Sequence, residues 1–279
     1  DVKSVTITGN KFDNANVQIS ALESITFTGN TTDSDVQITS YTANNTLNVT
    51  AKNNILATDG TYTVNAGGTL DLQDEFLTPV ADVNGKIYFT LQAALDYAVK
   101  AADEVTVTLL DDINLEGKTW TPVYFNSYIA EGTNTLIIDG NDKTISNLTD
   151  MLFSGTWTGK RFEVKNLTIY KANIKHNVED AGPDEGVGAV VGNISATEKI
   201  EFNNVKLVES HVQGGHWTGG LIGYAAGYSG NDGPVFTEIV INNCQIIGST
   251  IVGKGSVGGV VGHATGDAWT SFGVEATTI

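Results

Sequence analysis

Five aromatic residues flank the glycine-rich apolar runs of this chain: Trp157, Trp217, Tyr224, Tyr228 and Trp269. Flat exposed rings stack on sugar faces by apolar contact, and acidic or amide neighbours can bond the sugar hydroxyls. These residues are therefore the candidate glycan-binding set. The competing reading is that the rings pack over the chain's own loops. A second candidate is the acidic stretch Glu179-Asp180-Ala181-Gly182-Pro183-Asp184-Glu185. Glu179, Asp180, Asp184 and Glu185 offer enough oxygens for a calcium ion, although their spacing is not that of an EF-hand loop and a solvated acidic loop has the same composition.

Other chemistry-bearing residues are weaker candidates. His176, His211, His216 and His263 lack the pairing typical of zinc sites and read as dispersed surface histidines. Cys244 is the single cysteine, so no internal disulfide can form. It aligns with inward apolar positions and reads as a small core residue. Thr6/Thr8 and Thr26/Thr28 form Thr-x-Thr pairs that resemble ice-binding solenoids, but two pairs make no extended array and threonine is a common exposed strand residue.

Bulk composition narrows the partners. The formal net charge is −17 and Arg161 is the lone arginine. Such a field repels nucleic-acid phosphates and anionic membranes, so neither is an expected partner. No apolar run approaches the roughly 18 residues of a membrane span, so no membrane insertion by this segment is expected. The opening Asp1-Val-Lys-Ser4 reads as the start of a mature or excised segment, and the chain is expected to be a monomer.

The elements that position these residues come from a repeat. Phe162–Ile169, Ile200–Leu207 and Ile239–Ile246 superpose at offsets of 38 and 39 residues. Each is followed by a glycine-rich run: Gly188–Gly192, Gly219–Gly223 and Gly258–Gly262. Apolar residues alternate within each stretch and skip one place at Asn166, Asn204 and Asn243. Alternation means strands with one buried face. The skip means a corner at which asparagine tolerates left-handed backbone, with its amide free to bond the same amide one coil away. An earlier coil runs through Leu136–Asn141, Lys143–Ser146 and Met151–Gly155. Short strands stacked in parallel coils predict an all-β chain, a right-handed parallel β-helix, or solenoid, over residues 79–279. By the same offset, Ser271–Ile279 is expected to form a last partial coil or an edge.

Ahead of the coils, Asn84-Gly85 predicts a hairpin. Thr90 is a plausible N-cap for a short capping helix over residues 91–102. Residues 1–78 carry a shorter repeat, Ser4–Asn10 recurring as Ser24–Asn30, and are expected to form a small solenoid with coils of roughly 20 residues.

With the coils laid out, the block from Asn84-Gly85 to Leu110, with Ile137, Asp139, Gly140 and Asn166–Ile169, resembles the opening of pectin-lyase-like right-handed β-helices. The runs Gly219–Gly223 and Gly258–Gly262 resemble the GLUG motif of bacterial surface and adhesin-like proteins. The resemblance covers about residues 80–270 and implies a secreted or cell-surface bacterial protein. Its role would be adhesin-like or structural, with a glycan or a host or cell-surface component as partner. The alternative it implies is a polysaccharide lyase or glycoside hydrolase. Against that alternative, Asp111-Asp112 is the sole paired Asp and lies outside the aligned coils. Gly215-His216-Trp217 and Gly262-His263-Ala264 both miss the last glycine of the polygalacturonase Gly-His-Gly motif, and Arg161 is followed by Phe and Glu. No residue is assigned a catalytic role and no cofactor is expected beyond the candidate calcium.

Overall fold

The computed structural model describes residues 2–13, 15–32, 35–41, 46–56, 62–72, 79–101, 103–125, 133–176, 186–227 and 237–265. They are mostly β-strand with one α-helix, as expected of an all-β chain. Contacts divide the chain into two units, Asp1–Ala94 and Leu95–Ile279.

In the first unit the short repeat becomes strand pairing. Ser4–Thr8 lies parallel to Ser24–Thr28 with Ser4 opposite Ser24, and Asn48–Lys52 and Leu70–Leu72 extend the sheet. Val17–Ala21, Val36–Ser40 and Tyr62–Asn65 pair in the same way. Alternate residues of these strands, among them Ile19, Ile25, Phe27, Ile38 and Val49, form a buried core. Asn10, Asn30 and Asn54 stack through their amides, Asn10 donating to Asn30 at 3.3 Å and Asn30 to Asn54 at 3.0 Å. Asn30 is fully buried, and this ladder satisfies an amide that would otherwise be costly inside. Thr26 pairs with Thr6 on one side and Thr50 on the other, but the third row reads Asn48-Val49-Thr50-Ala51-Lys52, so the Thr-x-Thr pattern stops there.

The hairpin turns where its sequence predicts. Ala81–Val83 runs antiparallel to Lys86–Tyr88, with Asn84 at φ 48° and Gly85 at φ 82° between them. Two successive positive φ values suit the right-handed twist of the flanking strands. The helix spans Leu91–Ala98, shorter than the predicted 91–102. The Thr90 hydroxyl accepts the Ala93 amide at 3.2 Å, as an N-cap does. Beyond Ala98 the backbone tightens, and the amides of Lys100 and Ala101 both donate to the Tyr97 carbonyl. Leu91, Ala94, Leu95 and Ala98 form its buried stripe.

The second unit is a set of parallel sheets. Thr133–Asp139, Phe153–Tyr170, Val191–Val208 and Glu238–Asn242 lie side by side in register, so that Phe162, Ile200 and Ile239 are neighbours. Leu207 in turn neighbours Ile169 and Ile246. Asn173–Lys175, His211–Gln213 and Thr250–Val252 form a second sheet. Gly186–Val187, Trp217–Gly219 and Ser256–Gly258 form a third. Phe162, Val164, Leu167, Phe202, Val205 and Leu207 are buried.

The asparagine corners are left-handed, with φ 52° at Asn166, 56° at Asn204 and 51° at Asn243. Their amides form the expected ladder: Asn204 donates to Asn166 at 3.2 Å and Asn243 to Asn204 at 3.3 Å. Asn166 in turn donates to Asp139 at 3.2 Å. Cys244 is only half-buried, unlike the buried Leu167 and Val205 with which it aligns, because no further described strand pairs beyond Glu238–Asn242 and Gln245–Ile247. Burial still pushes its thiol pKa up. Residues 271–279 lie outside the described residues.

Candidate functional site

The glycine-rich runs bring two sheets close together, and this places the aromatic residues. Each run turns the chain from the third sheet back into a long strand or its equivalent, Val191–Val208, Ile222–Gly227 or Val261–Thr265. A Cβ on Gly262 would stand 2.6 Å from the Thr218 amide nitrogen, and one on Gly223 would collide with the Val187 nitrogen. Only glycine permits that approach. The result sets Trp217, on the third sheet, against Tyr224 on the neighbouring strand.

Trp217 and Tyr224 stack, with ring centroids 4.5 Å apart and planes 24° from parallel. The third member of the group is His263. It stands opposite Tyr224 in the strand register, with rings 5.7 Å apart and 7° from parallel. It also stacks on Trp217 at 5.7 Å and 27°. His216 meets Trp217 edge-on at 5.5 Å and 68°. Trp217, Tyr224 and His263 are half-buried, whereas His216 is exposed. The histidines are thus not all dispersed: two of the four meet one tryptophan, His216 as its neighbour in the chain and His263 through strand register. His176 is elsewhere, 3.0 Å from Asp150. His211 lies in register with Asn173 and Thr250.

Of the other aromatic candidates, Trp157 is in register with Ile194, two strands from Tyr224. Tyr228 and Trp269 lie outside the described residues, as do Glu179, Asp180, Asp184 and Glu185 of the candidate calcium loop. Among the described residues, no three His, Cys, Asp or Glu side chains gather as metal ligands. Nor, among them, is any helix long and apolar enough to cross a membrane.

A second constellation was not singled out by sequence. On the strand positions that alternate with the buried apolar ones, charges of opposite sign meet across the sheet. Arg161 pairs with Glu163 on its own strand and with Glu201 at 3.3 Å on the next. Lys165 reaches Glu163 at 3.3 Å and Asp139 at 3.7 Å. Lys199 holds Glu201 at 3.0 Å and Glu238 at 3.5 Å. The hydrogen bond to Glu201 raises the Lys199 pKa above the usual lysine range. Glu163 is only 6% exposed, so its carboxylate depends on these cations in place of water. The repeat carried the signal: Arg161 aligns with Lys199 and Glu163 with Glu201 at the same 38-residue offset. The same holds for His263, which lies 39 residues after Tyr224.

No family model matches the chain, and no curated protein or solved structure proves similar to it.

Proposed function

We propose that the chain is a secreted or cell-surface bacterial module, adhesin-like or structural in role, that binds a glycan through Trp217 and Tyr224. We assign its second unit to the right-handed parallel β-helix kind, pectin-lyase-like with GLUG repeats. Three consecutive coils in parallel register, recurring at 38 and 39 residues with a left-handed asparagine in each, support that architecture. The observation that carries the binding role is the Trp217–Tyr224 stack, a half-buried aromatic surface assembled from two strands. Aromatic faces of this size bind the apolar face of a sugar ring.

The test is a glycan array followed by affinity electrophoresis of the purified chain. Wild type should bind, and Trp217→Ala should abolish binding while the unfolding midpoint in urea shows the chain still folded. Trp217→Phe, which keeps a ring, should retain part of the affinity. A wild-type chain that binds nothing leaves a purely structural role.

The charge network favours a second reading, a polysaccharide-cleaving β-helix, because a carboxylate–lysine cluster is what such chemistry needs. Here both Glu163 oxygens are engaged by cations, Oε2 by Arg161 and Oε1 by Lys165, so this carboxylate is not poised as a free base. Product formation in a broad polysaccharide screen that disappears in Glu201→Gln would decide for that reading.

A further inference from the structure

We infer that His263 is the third member of the binding platform, and that the platform takes a neutral glycan laid along the direction in which the strands stack. The inference rests on the glycan-binding reading above and gives that site its extent and its ligand class.

Geometry supplies the extent. Tyr224 and His263 occupy one register position on successive strands, so their rings form a row that runs across the sheet. Neighbouring strands in a sheet lie about 4.8 Å apart. The two rings are nearly parallel, and Trp217 lies stacked against both. A neutral imidazole has a flat face and two separate edge atoms, one nitrogen that donates and one that accepts, where the phenol has one oxygen for both and the indole a donor alone. The three rings are half-buried, so the row leaves a ligand part of its aromatic surface together with the hydrogen-bonding edge of the imidazole. Along the same direction Trp217 is flanked in its own sheet by Gly186, which has no side chain, and Ser256, whose side chain is small.

Charge supplies the ligand class. A polyanionic chain would approach a protein of net charge −17, and the long-range field opposes it. A neutral pyranose chain meets no such barrier and matches a surface built from rings rather than from cations.

Binding is measured by calorimetry and affinity electrophoresis at low ionic strength. The probes are neutral hexasaccharides (cello-, xylo-, manno- and chito-) and an oligogalacturonate of the same length. Wild type should bind at least one neutral probe and not the oligogalacturonate. His263→Ala should weaken that binding by about tenfold, the size of one aromatic contact. His263→Phe keeps the stack, removes the polar edge and should fall between the two. Near-ultraviolet circular dichroism identifies a variant that has lost its packing, and His263→Phe then carries the test. If Trp217→Ala loses binding while His263→Ala and His263→Phe bind like wild type, the role of His263 is refuted and the Trp217–Tyr224 site stands. Tighter binding of the oligogalacturonate overturns the neutral class. Failure of every probe with wild type overturns the glycan-binding reading and this inference with it.

Discussion

Replacing Asn204 by alanine should cost the chain about 2–3 kcal/mol, from two separable sources. The first is backbone. Asn204 sits at φ 56°, where an alanine Cβ crowds the following carbonyl, and asparagine tolerates that region better by about 1 kcal/mol. The second is the amide ladder. Asn204 donates to Asn166 at 3.2 Å and accepts from Asn243 at 3.3 Å. The inner bond is partly buried and contributes about 1 kcal/mol, while the outer one is exposed and contributes about half as much. Asn204→Gly separates the terms. Glycine adopts the left-handed corner freely but loses both bonds and some chain entropy, so it should lie between wild type and alanine at about 1–2 kcal/mol. Urea unfolding of the three proteins, followed by circular dichroism, gives the values if all share one slope. Alanine within about 0.5 kcal/mol of wild type, the usual scatter of surface substitutions, would refute the corner argument. Glycine less stable than alanine would refute the backbone share of it.

Two further predictions concern the charge network. Glu163→Gln leaves Arg161 and Lys165 facing a neutral amide. It should lower stability by about 2 kcal/mol, below the range for a fully buried pair because the Arg161 side chain is 40% exposed, and urea unfolding reads it. Lys199 has a raised pKa, so the folded state holds its proton more tightly than the unfolded state does. That stabilisation is fully present below the unfolded lysine pKa and is lost as pH rises through the higher folded value. Wild type should therefore lose stability across the alkaline range more steeply than Lys199→Met, and parallel pH profiles would show that the Glu201 contact contributes nothing.

Much of the fold was legible in the chain because repetition makes local and tertiary signals agree. Asn166, Asn204 and Asn243 mark corners in sequence, and they are corners in space because no other non-glycine residue takes positive φ as readily. The Asn84-Gly85 hairpin and the Thr90 cap are likewise local chemistry, decided within a few residues. The helix end was not legible: Val99 through Ala101 continue the helical composition, yet the backbone tightens at Tyr97. The candidate site was half legible. Trp217 and Tyr224 drew attention as aromatics beside glycine-rich runs, but nothing in their spacing of seven residues says that their rings stack.

By itself the sequence determined the period, the corners and the alternation of buried and outward positions, because each depends on backbone preference and on the solubility of single side chains. Only the tertiary structure decided which outward residues meet. His263 reaches Tyr224 across 39 residues, and Arg161 reaches Glu201 across 40, through strand register. Register is set by the joint burial of many apolar side chains and by the glycines that let two sheets approach. The repeat offset marks which residues can share a register position, but the contacts of the three stacked rings and of the charge network appear only once the strands are side by side.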